Sequence, residues 1–132
     1  MENKKYTLIT GASAGIGYAA AIAFSARHKN LILVARREAN LKKIKAEIQK
    51  QEPALDIIIK ICDLSEPKNV YKLYHELKPY SIETLINSAG LGDYSSVANE
   101  SPDKITAMLR LNIEALTMLS TYFVKDYYYS IL

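Results

Sequence analysis

Three glycines, Gly11, Gly15 and Gly17, follow a short apolar run (Tyr6, Leu8, Ile9) that ends at Thr10. A glycine turn between a strand and a helix presents backbone N–H groups to a phosphate, and the helix start adds the positive end of its dipole. In such a turn Gly11 lets the chain leave the strand, Gly15 leaves room for a pyrophosphate, and Gly17 brings the helix close to the sheet. A turn that uses glycine for geometry alone would have the same residues. Polar residues recur where the later apolar runs end: Arg36 and Arg37 after Leu31 to Ala35, Asp63 after Asp56 to Ile61, and Asn87 after Thr84 to Ile86. A carboxylate at Asp63 can accept from an exocyclic amine, and Ala89 and Gly90 beyond Asn87 have no bulk to block a ribose. The plainer alternatives are a helix cap or turn at Asp63 and an Asn-Gly-rich turn at Asn87.

Arg36 bears on which nucleotide would fit. A carboxylate directly after the second strand hydrogen-bonds a ribose 2′-hydroxyl. Here the residues are Val34-Ala35-Arg36-Arg37, and the first acid, Glu38, falls later, on the helix. A guanidinium at this place pairs with a 2′-phosphate through charge-assisted hydrogen bonds. Arg37 shares that role or faces solvent, and Ser13 adds a hydroxyl donor. These residues favour NADP(H) over NAD(H); a surface arginine pair on a lysine-rich helix is the alternative.

The elements that must position these groups alternate along the chain. Strands are expected at 6–10, 31–35, 56–61 and, briefly, 84–86. The run Leu31 to Ala35 is continuous, as in a strand buried on both faces. A helix over 15–27 would turn Ile16, Ala20, Ala23 and Phe24 to one face. A second, 38–50, buries Leu41, Ile44 and Ile48 and leaves Lys42, Lys43, Lys45, Glu47 and Lys50 in water. In the third, Ser65 caps, Pro67 sits in the first turn, and Val70, Leu73, Tyr74 and Leu77 form the stripe. A polar loop, 91–100, draws freedom from Gly90 and Gly92. A long helix then opens at Ser101 and Pro102 and buries Ile105, Leu109, Leu116, Leu119 and Phe123. This β-α repetition implies a Rossmann-type α/β fold, a doubly wound parallel sheet with helices on both faces.

Composition narrows the function classes. The chain has 132 residues, 49% hydrophobic and 23% charged, which suits one soluble domain with a real core. A net charge of +3 with no basic run gives no nucleic-acid footprint. A lone cysteine, Cys62, leaves no intramolecular disulfide or multi-cysteine metal site, and no metal site is read. The lysines before Tyr6 superficially resemble a signal peptide, but glycine, threonine and serine interrupt its apolar region. No apolar run is long enough for a membrane span, and a cytoplasmic location is the default expectation.

With these motifs in place the chain resembles the N-terminal half of a short-chain dehydrogenase/reductase over essentially its whole length. The stretch Thr10-Gly11-Ala12-Ser13-Ala14-Gly15-Ile16-Gly17 matches that family's cofactor loop. Asp63-Leu64 sits where the family contacts the adenine ring, and Asn87-Ser88-Ala89-Gly90 matches its Asn-Asn-Ala-Gly motif with one substitution. Leu111-Asn112-Ile113 falls on the long helix, where the family places a catalytic-site asparagine that anchors a water in the proton relay; a solvent-facing polar residue is the other reading of Asn112. The resemblance thus implies cofactor binding by Gly11, Ser13, Gly15, Ile16, Gly17, Arg36, Asp63, Leu64, Asn87, Ala89 and Gly90, and a catalytic Asn112.

The same resemblance implies a serine and a Tyr-x-x-x-Lys pair beyond the long helix, where this sequence has only Asp126 to Leu132. One Tyr-x-x-x-Lys does occur, at Tyr74 and Lys78, but 10 tyrosines in a lysine-rich chain make one such spacing expected by chance. It also lies on the third helix, with Tyr74 on the inward stripe, so no catalytic role is carried onto it. His28 and His75 read as helix-surface residues. The expectation is a single but incomplete NAD(P)-binding domain over 1–132, the cofactor half of an NADP(H)-dependent oxidoreductase that moves hydride between nicotinamide and a small carbonyl or alcohol substrate. The rival is a non-catalytic NADP(H)-binding module. In strand order 3-2-1-4 the fourth strand is an open edge, which predicts marginal stability or self-association there or through helix 103–125, with the tail Tyr127 to Leu132 unpartnered.

Overall fold

A computed structural model of the chain describes residues 4–91 and 96–130, with side chains through Asp126. The freedom assigned to Gly92, the tail's side chains and residues 131–132 lie outside the described residues. Four parallel strands, β1 (Lys5–Thr10), β2 (Asn30–Ala35), β3 (Ile57–Ile61) and β4 (Ser81–Asn87), form one sheet in the order β3-β2-β1-β4. They alternate with helices α1 (Gly15–Ala26), α2 (Glu38–Gln51) and α3 (Pro67–Glu76). After β4 come a 3-10 turn at Val97–Asn99, helix α4 (Pro102–Leu109), a π-helical segment Arg110–Ala115, and helix α5 (Leu116–Ser130).

Strand alternation sorts the core into two layers. Ile9, Leu31, Leu33 and Ile57 point to one face and pack against Leu41, Ile44 and Ile48 of α2 and Ala21 of α1. Tyr6, Leu8, Ile32 and Val34 point to the other and meet Val70, Leu73 and Leu77 of the α3 region and Leu119 of α5. Every residue from Leu31 to Ala35 is buried, so β2 is the central strand the continuous apolar run implied. No helix among the described residues is long and apolar enough to cross a membrane.

Several expectations are corrected. In α1, Ile16 is 80% exposed and Ala23 is exposed; the buried residues are Gly17, Ala21 and Ser25. Ala20 and Phe24 are partly buried against the core as expected, while the start of α1 lies so close to the glycine turn that Gly17 has no room for a side chain. Ser65 does not cap α3: Glu66 is the N-cap residue, without a side-chain cap bond, and the Ser65 hydroxyl donates to Asp63 Oδ1 at 2.7 Å. His28 lies just past α1, in the left-handed region at φ 61°, with Nδ1 3.1 Å from Glu52 Oε2. Strand β4 is longer than the apolar triplet 84–86, because pairing with β1 extends over Ser81–Asn87. The single long helix is interrupted by the π segment. Leu119 is buried and Phe123 half-buried as expected, but Ile105, Leu109 and Leu116 are 41%, 53% and 40% exposed.

Candidate functional site

Strand register determines where the polar residues gather. Thr10 of β1 stands opposite Val34 of β2 on one side and Asn87 of β4 on the other, and Ala35 stands opposite Ile61 of β3. The carboxyl ends of all four strands therefore finish level, and the loops after them meet at one edge. That edge is where open α/β sheets bind ligands. The loops enclose a cleft of about 330 Å³. Of the residues singled out in the sequence, Gly11, Ser13, Arg36, Arg37, Asp63, Leu64, Ala89 and Gly90 line it. Gly15, Ile16, Gly17, Asn87 and Asn112 are not in its wall.

The glycine turn forms the floor. Gly11 has φ +62°, and a Cβ there would lie 2.7 Å from both Cα and N of Ala89, so the turn and the loop after β4 touch through backbone. Thr10 fastens the same seam: its Oγ1 accepts from the N–H groups of Ser88 and Ala89, each at 3.1 Å. Gly17 is set by a second close approach, since a Cβ on it would stand 2.1 Å from the Gly11 carbonyl oxygen. Gly15 is different. Its φ is +58° and nothing lies within 4 Å of its would-be Cβ, so the space over the start of α1 is open. Ala14, the N-cap residue of α1, has no side chain to cap with, and the first turn holds no acid. The N–H groups of Gly15, Ile16 and Gly17 have no acceptor within the helix and carry its partial positive charge.

The far wall mixes cations and a carboxylate. Arg36 and Arg37 sit between β2 and α2, and neither makes an ion pair among the described residues. Glu38, the first acid after β2, bonds Lys42 at 3.1 Å along the helix instead. Asp63 Oδ1 accepts from the Ser65 hydroxyl and, at 3.0 Å, from the Ser65 N–H. Those bonds, with a smaller contribution from Arg36, hold the Asp63 carboxyl below the usual carboxylate range despite partial burial. The turn role weighed for Asp63 is thus present, and it leaves Oδ2 without a hydrogen bond. Cys62 also lines the cleft; burial, then the neighbouring Asp63 charge, pushes its thiol up to about 11.

The two asparagines sit behind the wall. Asn87 Nδ2 donates to Ser120 Oγ at 2.9 Å, tying β4 to α5. Asn112, in the π segment, grips the backbone of Leu91: Oδ1 accepts from its N–H and Nδ2 donates to its carbonyl, both at 2.8 Å. The solvent-facing reading of Asn112 captures its exposure but not these bonds.

A family model described as short chain dehydrogenase matches residues 5–128. The chain belongs to the short-chain dehydrogenase family. It is similar to an uncharacterised oxidoreductase of Mycobacterium tuberculosis, 37% identical over 87 residues, covering 64% of this chain and 34% of that protein. Among solved structures it is similar to a ketone-specific alcohol dehydrogenase of Comamonas testosteroni, with 29% identity, TM-score 0.88, and 96% of this chain against 50% of that one. A short-chain dehydrogenase of Sphingobium yanoikuyae in complex with NADPH gives TM-score 0.89 at 29% identity, covering 96% of this chain and 49% of that one. The chain thus spans about half the length of these solved structures and about a third of the Mycobacterium relative.

Tyr74 and Lys78 are away from the cleft wall. Tyr74 is buried between α3 and α5, stacks on Tyr122 with ring centroids 4.5 Å apart, and donates to both carboxylate oxygens of Asp126 at 2.7 and 2.8 Å. The cleft also recruits Ala14, Val34, Ala35, Asn40, Cys62, Ser88 and Leu111, none of which has a binding role of its own in the sequence reading. For Val34 and Ala35 the signal was present, since they are the last residues of an apolar run that ends at the site. Asn40, one turn into α2, carried no such mark.

Proposed function

We propose that this chain holds NADP(H) along the carboxyl edge of its sheet and belongs to an oxidoreductase acting on a small carbonyl or alcohol substrate. When bound, the nicotinamide supplies the hydride chemistry, and the protein supplies orientation and electrostatics. The observation that carries the NADP(H) assignment is the pair Arg36 and Arg37 at the end of β2, neither in an ion pair among the described residues, while Glu38 is engaged by Lys42. A cation here attracts a 2′-phosphate, whereas the 2′-hydroxyl of NAD(H) would call for a carboxylate. The similar Sphingobium yanoikuyae protein, solved with NADPH, supports the same reading.

The residues present fit such a group. The uncapped start of α1 offers the N–H groups of Gly15, Ile16 and Gly17 to a pyrophosphate, in the open space over Gly15. Val34, Ala35 and Leu64 give the adenine ring an apolar wall, and Asp63 Oδ2 is the acceptor for its amine. Ser13 adds a donor beside Arg36. Ala89 and Gly90 admit a ribose next to Gly11. Asn87 and Asn112 serve as positioning residues in this reading, holding β4 to α5 and Leu91 to the π segment. Tyr74 takes no part in proton transfer, because its phenol is committed to Asp126. Residues 1–132 are thus read as a dinucleotide-binding domain, and the exposed apolar residues Ile105, Leu109, Ile113 and Leu116 are its self-association face.

Fluorescence titration of the chain with NADPH and NADH tests the cofactor. Arg36→Asp is expected to weaken NADPH by at least about tenfold and NADH by less than about threefold, as loss of a charge-assisted contact requires. Equal weakening of both refutes the 2′-phosphate assignment, and saturable binding of neither by the unmutated chain refutes the site.

A further inference from the structure

The wall of the cleft continues past Ser13 into a second hollow of about 350 Å³ between α1 and α2. Ser13, Ala14 and Asn40 belong to both spaces, so the two meet along them, and Lys43 stands on the far side. Asn40 and Lys43 are three residues apart on α2 and share one face of it. Among the described residues neither side chain has a partner: the Asn40 amide makes no hydrogen bond and Lys43 makes no ion pair, although Lys42 beside it is paired with Glu38. The one carboxylate in the hollow, Glu47, is held by the Tyr18 phenol, which donates to its Oε1 at 2.7 Å. Arg36 and Arg37 thus line the space on one side of these shared residues and Lys43 the space on the other, and among the described residues none of the three forms an ion pair.

Resting on the NADP(H) reading above, we infer that Asn40 and Lys43 complete the 2′-phosphate subsite and set the preference for NADP(H) from the α2 side. Arg36 and Ser13 approach the phosphate from the strand end and the glycine turn. Asn40 donates to it from the first turn of α2, and Lys43 supplies a second positive charge across the junction. A dianion gains from that charge and a neutral 2′-hydroxyl does not, so Lys43 acts on selectivity.

The test uses the full chain and two small probes, adenosine 2′,5′-bisphosphate and adenosine 5′-monophosphate, titrated calorimetrically at low ionic strength, where exposed charges are least screened. The unmutated chain is expected to prefer the bisphosphate. Lys43→Met weakens the bisphosphate about fivefold, the upper range for one exposed ion pair, and leaves the monophosphate unchanged. Lys43→Arg, which keeps the charge, retains most of the bisphosphate affinity. If the unmutated chain prefers the bisphosphate but Lys43→Met changes neither ligand, or both equally, the Lys43 assignment is overturned and the NADP(H) reading stands. An equal loss in Lys43→Arg overturns it too, since charge would not be the cause. If the unmutated chain shows no preference for the bisphosphate, the NADP(H) reading fails and this inference with it.

Discussion

Replacing Gly17 by alanine places a methyl carbon 2.1 Å from the Gly11 carbonyl oxygen and 2.7 Å from its carbonyl carbon. An ordinary Cβ contact begins near 3.4 Å, so 1.3 Å must be made up, and both obstacles are backbone. The Gly11 turn cannot give way, because its own Cα already faces Ala89 and Thr10 bonds the neighbouring N–H groups. Helix α1 must therefore lift away from the sheet over Ala21 and Ser25. Overpacking of this kind costs about 1–3 kcal/mol, and alanine's better helix propensity returns at most about 1 kcal/mol near a helix start. A net loss of about 1–2 kcal/mol corresponds to a fall in Tm of roughly 4–8 °C for a domain of this size. Gly15→Ala is the control. It meets no atom and incurs only the left-handed backbone cost, about 1 kcal/mol, while its methyl enters the space assigned to the pyrophosphate. Thermal denaturation followed by circular dichroism should rank Gly17→Ala well below Gly15→Ala in stability, and NADPH titration should show Gly15→Ala impaired out of proportion to its stability. A Gly17→Ala protein that melts within about 2 °C of the parent would refute the close-approach argument.

Three further outcomes follow from named contacts. Asn112→Ala removes both bonds to Leu91, and hydrogen exchange at the Leu91 amide should accelerate markedly while global stability falls by only about 1 kcal/mol; unchanged protection at Leu91 would refute the grip. Tyr74→Phe should cost about 1 kcal/mol through loss of the bonds to Asp126. Burial and then Asp126 raise the Tyr74 pKa, so this contribution is full below pH 10.0 and is lost as pH rises through the folded-state pKa; urea unfolding of both proteins against pH checks it. Asp63→Ala should be destabilising at neutral pH through the Ser65 turn, with the difference shrinking in acid. The folded carboxyl titrates below its ordinary 3.8, so the stabilisation is present above that value and lost as pH falls through the lowered one; a difference constant down to strong acid would count against it.

The sheet was legible because parallel strands buried on both faces must be written as apolar runs. Leu31 to Ala35 had no other use, and the stripe Leu41, Ile44, Ile48 could only be the inner face of α2. In helix α1, Ile16 and Ala23 depart from the apolar stripe for a physical reason. Apolar periodicity reports bulk, and the α1 interface selects for smallness: Gly17, Ala21 and Ser25 are buried while Ile16 stands in the open. The long helix failed differently. Its apolar spacing was carried straight through 110–115, where the π segment adds residues per turn and rotates everything that follows. Leu119 and Phe123 still meet α3 and the sheet, but Ile105 and Leu109 on the other side of the segment turn outward.

The site divides along the same line. Arg36, Asp63, Ala89 and Gly90 could be placed from sequence because each lies in the loop just after a strand, and parallel register brings strand ends to one edge. The partners of Thr10 and Asn112 could not, since they lie 78, 79 and 21 residues away and are backbone groups that no spacing reveals. These two residues nevertheless fix the geometry on which the others depend. Thr10 pins the loop after β4 to the end of β1, Gly11 leaves out the Cβ that would stand 2.7 Å from the Ala89 backbone, and Gly17 brings α1 down onto the turn so formed. The seam between β1 and β4 is therefore a chain of backbone contacts in which each link presupposes the one before. Charge along the rim can select among nucleotides, as Arg36 and Lys43 do in the reading given above. Whether any nucleotide fits is decided first in the seam, so substitutions at Gly11 or Gly17 should weaken NADPH and NADH alike, whereas those at the rim should separate them.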